Sequence, residues 1–179
     1  MRPVTPFLAA VAALSIPAAA IASLTVGARA PDFETQSALA GKVRTLKLSD
    51  ELKKGPVVLY FFPAAFTPGC TLEAADFAQA SDDFRKSGAQ VIGLSADPIG
   101  KLAKFSVEAC RSKFAVATAT PQLIAQYQVK MPAREGLSDR TSYVIAPNGR
   151  VIYAHSDMNP RDHVRNTLAA VRQWRAAQP

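Results

Sequence analysis

Apolar residues along this chain fall into two kinds of run, and their alternation sets the order of elements. Val57-Val58-Leu59-Tyr60-Phe61-Phe62 is continuous and follows Pro56, the pattern of a strand covered on both faces. After Thr67 the spacing changes. Leu72, Ala75, Phe77, Ala80 and Phe84 recur near every 3.6 residues, which predicts a helix ending at Gly88. Val91-Ile92-Gly93-Leu94 reads as a second buried strand, and Asp97-Pro98 opens a helix with Leu102, Phe105 and Ala109 on one face. A weaker strand over 115–119 and a short helix over 122–127 follow. Strands over 141–146 and 151–155 flank Pro147-Asn148-Gly149, a hairpin signal. Asn159-Pro160 caps a last helix carrying Val164, Leu168, Val171 and Trp174. Upstream, 43–48 alternates like a strand and 49–51 reads as a short helical turn.

Strand, helix, strand at the start of this series is a βαβ crossover with parallel strands, to which the hairpin adds antiparallel ones. The expected fold class is α/β, with a mixed central β-sheet flanked by helices on both faces, an order consistent with a thioredoxin-like fold. A chain of 179 residues holds one compact core and is short for two. Apolar content of 49% with 20% charged residues excludes a disordered chain and a polytopic membrane protein. The formal charge of +7 is scattered among acids, so solvated surface is expected rather than nucleic-acid binding.

The first residues differ from the rest. Met1 and Arg2 give a short positive start, an apolar run extends from Phe7 to Ile16, and Ala20-Ile21-Ala22 matches an A-x-A cleavage pattern. Residues 1–22 are therefore read as a secretory signal peptide preceding a domain over 23–179. The competing reading is a membrane anchor; the run is short for a span and Pro17 interrupts it. Export, to the periplasm, is the expectation, with no stable membrane insertion after cleavage.

Two cysteines, Cys70 and Cys110, are too few for a disulfide framework, so each is read for chemistry first. Phe62-Pro63-Ala64-Ala65-Phe66-Thr67-Pro68-Gly69-Cys70-Thr71-Leu72-Glu73 joins the buried strand to a helix start. Thr67 suits an N-cap and Pro68 the first helical position, which puts Cys70 in the first turn. Unpaired N–H groups and partial positive charge there favour a thiolate and make it nucleophilic. A small buried apolar cysteine is the alternative.

The spacing P-x-x-x-T-x-x-C, met by Pro63, Thr67 and Cys70, resembles the active-site signature of the peroxiredoxins. The wider runs Leu59-Tyr60-Phe61-Phe62-Pro63 and Thr67-Pro68-Gly69-Cys70-Thr71 are similar to the bacterioferritin-comigratory, or Q-type, subfamily. The resemblance implies that Cys70 is a peroxidatic cysteine attacking a hydroperoxide to give a sulfenic acid. Thr67 orients the peroxide, Pro63 shields the sulfur from water, and the Gly69 and Cys70 N–H groups stabilise shifting charge. Arg140, in Asp139-Arg140-Thr141-Ser142, matches the family arginine before a later strand, and Glu73 the glutamate that holds it. Read from their own surroundings, Arg140 is a surface residue at a strand start and Glu73 an acid favoured by the helix dipole.

One departure matters. Many Q-type members carry a resolving cysteine five residues after the first, where this chain has Ala75. Cys110, near the end of the next predicted helix, is the candidate instead; a one-cysteine enzyme resolved by an outside thiol is the alternative. For Cys110 to reach Cys70, the helix start must locally unwind. The implied partners are a hydroperoxide and a thioredoxin-like or other thiol reductant, with a monomer favoured over a dimer. No cofactor is implied, and His155 and His163 have neither ligand spacing nor a nearby acid–cysteine cluster in sequence. Two rivals remain. A secreted thiol–disulfide oxidoreductase wants C-x-x-C, but Glu73 occupies the partner position. A non-catalytic domain with a structural Cys70–Cys110 bridge leaves Thr67, Pro68 and Arg140 unexplained as a set.

Overall fold

The computed structural model describes residues 23–178, so the signal-peptide reading of residues 1–22 lies outside the described residues. Seven strands form one sheet: β1 (Glu34–Leu39), β2 (Lys42–Lys47), β3 (Val57–Phe61), β4 (Gln90–Ser95), β5 (Ala115–Thr118), β6 (Thr141–Ile145) and β7 (Val151–Ser156). Their order across the sheet is β2-β1-β5-β4-β3-β6-β7. β3, β4 and β5 are parallel neighbours, whereas β6 and β7 on one side and β1 and β2 on the other run antiparallel. This is the expected mixed sheet.

All five residues of β3 are buried because both sheet faces are covered. On one face α2 (Pro68–Lys86), α3 (Ile99–Glu108) and α5 (His163–Ala176) pack against Val58, Tyr60 and Phe62. On the other, α1 (Leu48–Leu52) and α4 (Pro121–Gln126) cover Val57, Leu59 and Phe61. Alternate residues of one strand thus feed two cores, and β3 delivers its C-terminal end to the α2 side. There the chain turns from sheet to helix, and Cys70 lies just past that turn.

The structure differs from the sequence expectation in three places. β1 has no hydrophobic signal of its own in Glu-Thr-Gln-Ser-Ala-Leu; pairing with both β2 and β5 makes it a strand. The α2 helix stops at Lys86, and Gly88, at φ +76°, supplies the left-handed turn that ends it, with Ala89 N–H donating back to Phe84. Asn159 does cap, accepting from Arg161 N–H at 3.2 Å, but what it caps is a single 3-10 turn (Pro160–Asp162) that leads into α5. Trp174 is half-buried on α5.

Candidate active site

The loop from Pro63 to Thr67 is held just before its start and at its middle. Ser138 donates to the Phe62 carbonyl at 3.0 Å, and Asp97 accepts from the Ala65 N–H at 2.6 Å while Ser95 and Lys101 hold its carboxylate. Phe66 takes a left-handed conformation, φ +67°, unusual for a bulky side chain, and sets its ring edge-on to Phe105 of α3. Thr67 then returns to extended geometry and Pro68 begins the helix.

Thr67 occupies the N-cap position, yet its side chain accepts no helical N–H; the hydroxyl instead donates to the Ala64 carbonyl at 2.9 Å. The first helical bond is Thr71 N–H to the Thr67 carbonyl. Among the described residues no acceptor meets the N–H of Gly69 or Cys70, so two donors at the helix start remain available beside the sulfur. Cys70 is 1% exposed and Pro63 is half-buried, while Thr67 lies at the surface.

Arg140 closes the site from the start of β6. Its side chain is 4% exposed, with Nη2 3.5 Å from the Cys70 Sγ, Nη1 bonded to Glu73 Oε2 and Nε donating to the Met158 carbonyl at 3.0 Å. Three anchors fix a planar group that carries its charge at any ordinary pH. Arg140 is therefore not the surface residue its neighbours in sequence imply. Gly69 lets the helix start approach the guanidinium closely: a Cβ at that position would stand 3.2 Å from Arg140 Nη2, a tight contact. Burial pushes the Glu73 carboxyl up to about 8, with the Arg140 charge opposing.

The structure thus brings Cys70, Glu73 and Arg140 into direct contact, with Thr67 and Pro63 on the adjoining loop. Cys110 belongs to the same apolar cluster as Cys70, beyond the end of α3, but both cysteines are free thiols and no bridge joins them. Burial raises the Cys110 thiol pKa. Arg111 and Ser112, directly after it, both take left-handed φ, at 49° and 57°.

His163, which follows Asp162 in the sequence, is packed in the interior and meets a different acid there, with Nδ1 3.7 Å from Glu73 Oε1 and 2.8 Å from Ser142 Oγ. Sequence reasoning also missed Ser142, Met158 and Asp97. Met158 acts through a backbone carbonyl, which no side-chain pattern reveals. Asp97 had a local signal, read only as a helix start.

Comparison with known proteins gives a consistent result. The model of the AhpC/TSA family matches residues 26–154. The peroxiredoxin Bcp of Bacillus subtilis is 30% identical over 155 residues, 84% of this chain and 96% of the relative. The chloroplastic peroxiredoxin Q of Oryza sativa subsp. japonica is 32% identical over 143 residues, 79% of this chain and 64% of the relative. The crystal structure of the peroxidoxin BcpB from Mycobacterium tuberculosis superposes with a TM-score of 0.75 at 34% identity, covering 86% of this chain and 98% of that one.

Proposed function

Since this chain belongs to the AhpC/TSA family and is a thiol-dependent peroxidase, we propose that Cys70 is its peroxidatic cysteine and Arg140 the group that activates it. The observation that carries this assignment is the single buried guanidinium spanning the Cys70 sulfur and the Glu73 carboxyl. Hydroperoxides are the substrates and a thiol is the reductant.

In the proposed reaction the Cys70 thiolate attacks one peroxide oxygen in line with the O–O bond. That bond breaks, a sulfenic acid forms, and the departing oxygen leaves as hydroxide or alkoxide and takes a proton. Thr67, whose own proton goes to Ala64, keeps lone pairs to accept from the peroxide O–H. The Gly69 and Cys70 N–H groups and Arg140 donate to the oxygens as charge moves onto them. Pro63 offers no N–H and shields the sulfenate from solvent.

Cys110 is the proposed resolving cysteine: its thiol displaces hydroxide from the Cys70 sulfenic acid, giving a disulfide and water. Its burial means that the segment after α3 and the first turn of α2 open first, and two consecutive left-handed residues after Cys110 lower the cost of that opening. A thioredoxin-like protein then reduces the disulfide. The protein acts as a monomer, exported to the periplasm by its first 22 residues; the Met1-Arg2 start and the apolar run support that reading, and N-terminal sequencing of the protein from a periplasmic fraction tests it.

The experiment for the peroxidase assignment is hydrogen peroxide consumption with a thiol reductant. Wild type turns over and Cys70→Ser does not; equal turnover by the two refutes the assignment of Cys70. Cys110→Ser is expected to accumulate sulfenic acid on Cys70 and form no internal disulfide, and unchanged turnover with thioredoxin assigns resolution to an outside thiol.

A further inference from the structure

Glu73 is only half-satisfied. Its Oε2 meets Arg140, but Oε1 is buried with no hydrogen-bond partner among the described residues. Facing Oε1 at 3.7 Å is Nδ1 of His163, whose side chain is fully buried at the start of α5. The other ring nitrogen, Nε2, lies 2.8 Å from the Asp157 carbonyl, which can only accept, so the proton is on Nε2. Nδ1 is then a lone pair, and Ser142 donates to it at 2.8 Å. A carboxylate oxygen and an imidazole lone pair therefore oppose each other in the interior. One proton between them turns that opposition into a hydrogen bond.

Burial also decides where the proton goes. It lifts Glu73 to about 8 and lowers His163 to about 4, so the acid holds the proton and the imidazole accepts from it. The titratable or charged groups around the pair are Cys70 and Asp76 on α2, Tyr60 on β3, Arg140 before β6, His155 on β7 and Asp157 after it. Of these, Arg140 alone bonds Glu73.

We propose that His163 is a positioning residue of the peroxidase site, setting through Glu73 how much of the Arg140 charge is left to Cys70. The inference rests on the assignment of Cys70 and Arg140 made above. In one state Glu73 is a carboxylate that neutralises the guanidinium, and Ser142 occupies Nδ1. In the other, Oε1–H donates to Nδ1, Ser142 yields the position, and Arg140 faces the sulfur uncompensated. Cys70 reactivity then depends on pH through an acid that never touches substrate.

Two substitutions in the full-length protein push the equilibrium in opposite directions. His163→Phe keeps a planar ring against His155 but removes the acceptor for the Glu73 proton. Ser142→Ala removes the competitor for Nδ1. The carboxylic-acid C=O stretch of Glu73, identified by its loss in Glu73→Gln, is titrated by infrared spectroscopy, and single-turnover oxidation of Cys70 by hydrogen peroxide is followed across the same pH range. The midpoint is expected to fall by about 0.5–1 unit in His163→Phe and to rise by a similar amount in Ser142→Ala, the size of one ordinary hydrogen bond. The inflection in the oxidation profile moves with it. If His163→Phe does not fold, the rise in Ser142→Ala alone decides. Midpoints that stay in place, even with a lowered Tm, overturn the proposal. Wild-type Cys70 that oxidises no faster than a free thiol overturns the site assignment beneath it, a separate failure.

Discussion

The Thr67 hydroxyl donates inward to the Ala64 carbonyl and so presents its oxygen outward as an acceptor. Thr67→Ser keeps that arrangement, whereas Thr67→Val removes it; oxidation of Cys70 is expected to slow by about 10²-fold in the valine variant and little in the serine one, measured by stopped flow. Arg140→Lys retains a charge but cannot reach Cys70, Glu73 and the Met158 carbonyl together, so a loss of about 10²-fold is expected there too. Pro63, Thr67, Cys70 and Glu73 lie close together in sequence, so their placement at one strand-to-helix junction was legible from spacing, whereas the roles given to them came through the resemblance. Arg140 was legible only through resemblance, since 70 residues separate it from Cys70. His163 and Ser142 were not, because a buried serine on a strand and a histidine at a helix start carry no sign of the carboxylate they meet.

Helix α2 brings Gly69 and Cys70 against Arg140 in its first turn. A Cβ at Gly69 would stand 3.2 Å from Arg140 Nη2 and so displace a guanidinium held by three partners by a few tenths of an ångström. Gly69→Ala is therefore expected to leave the circular dichroism spectrum unchanged while slowing Cys70 oxidation about 10-fold, because small displacements of a positioned group are felt in the rate. The buried strands and both long helices near the site were readable from periodicity alone, since their apolar faces are regular. β1 was not readable, since its sequence is polar and its conformation comes from neighbours on both sides.

Across the whole molecule, two buried groups with opposite shifts shape stability against pH. Glu73 is raised from 4.5 to about 8, so the folded state binds more protons between those values and stability falls as pH rises through them. His163 is lowered from 6.5 to about 4, so over that interval the unfolded chain binds more protons and stability rises with pH. The two offset each other where they overlap. Above pH 6.5 Glu73 acts alone, and a loss of about 2 kcal/mol by pH 8 is expected from urea titrations, absent in Glu73→Gln.

Folding, rather than the thiol itself, is expected to make Cys70 fast. Reduced Cys110→Ser protein, mixed with hydrogen peroxide and quenched at intervals, reports by mass the rate at which Cys70 gains one oxygen. Measured in buffer and again in denaturing urea at the same pH, the folded rate is predicted to exceed the unfolded one by at least about 10³-fold. Equal rates in the two states would mean that the helix start and the guanidinium contribute nothing to the chemistry.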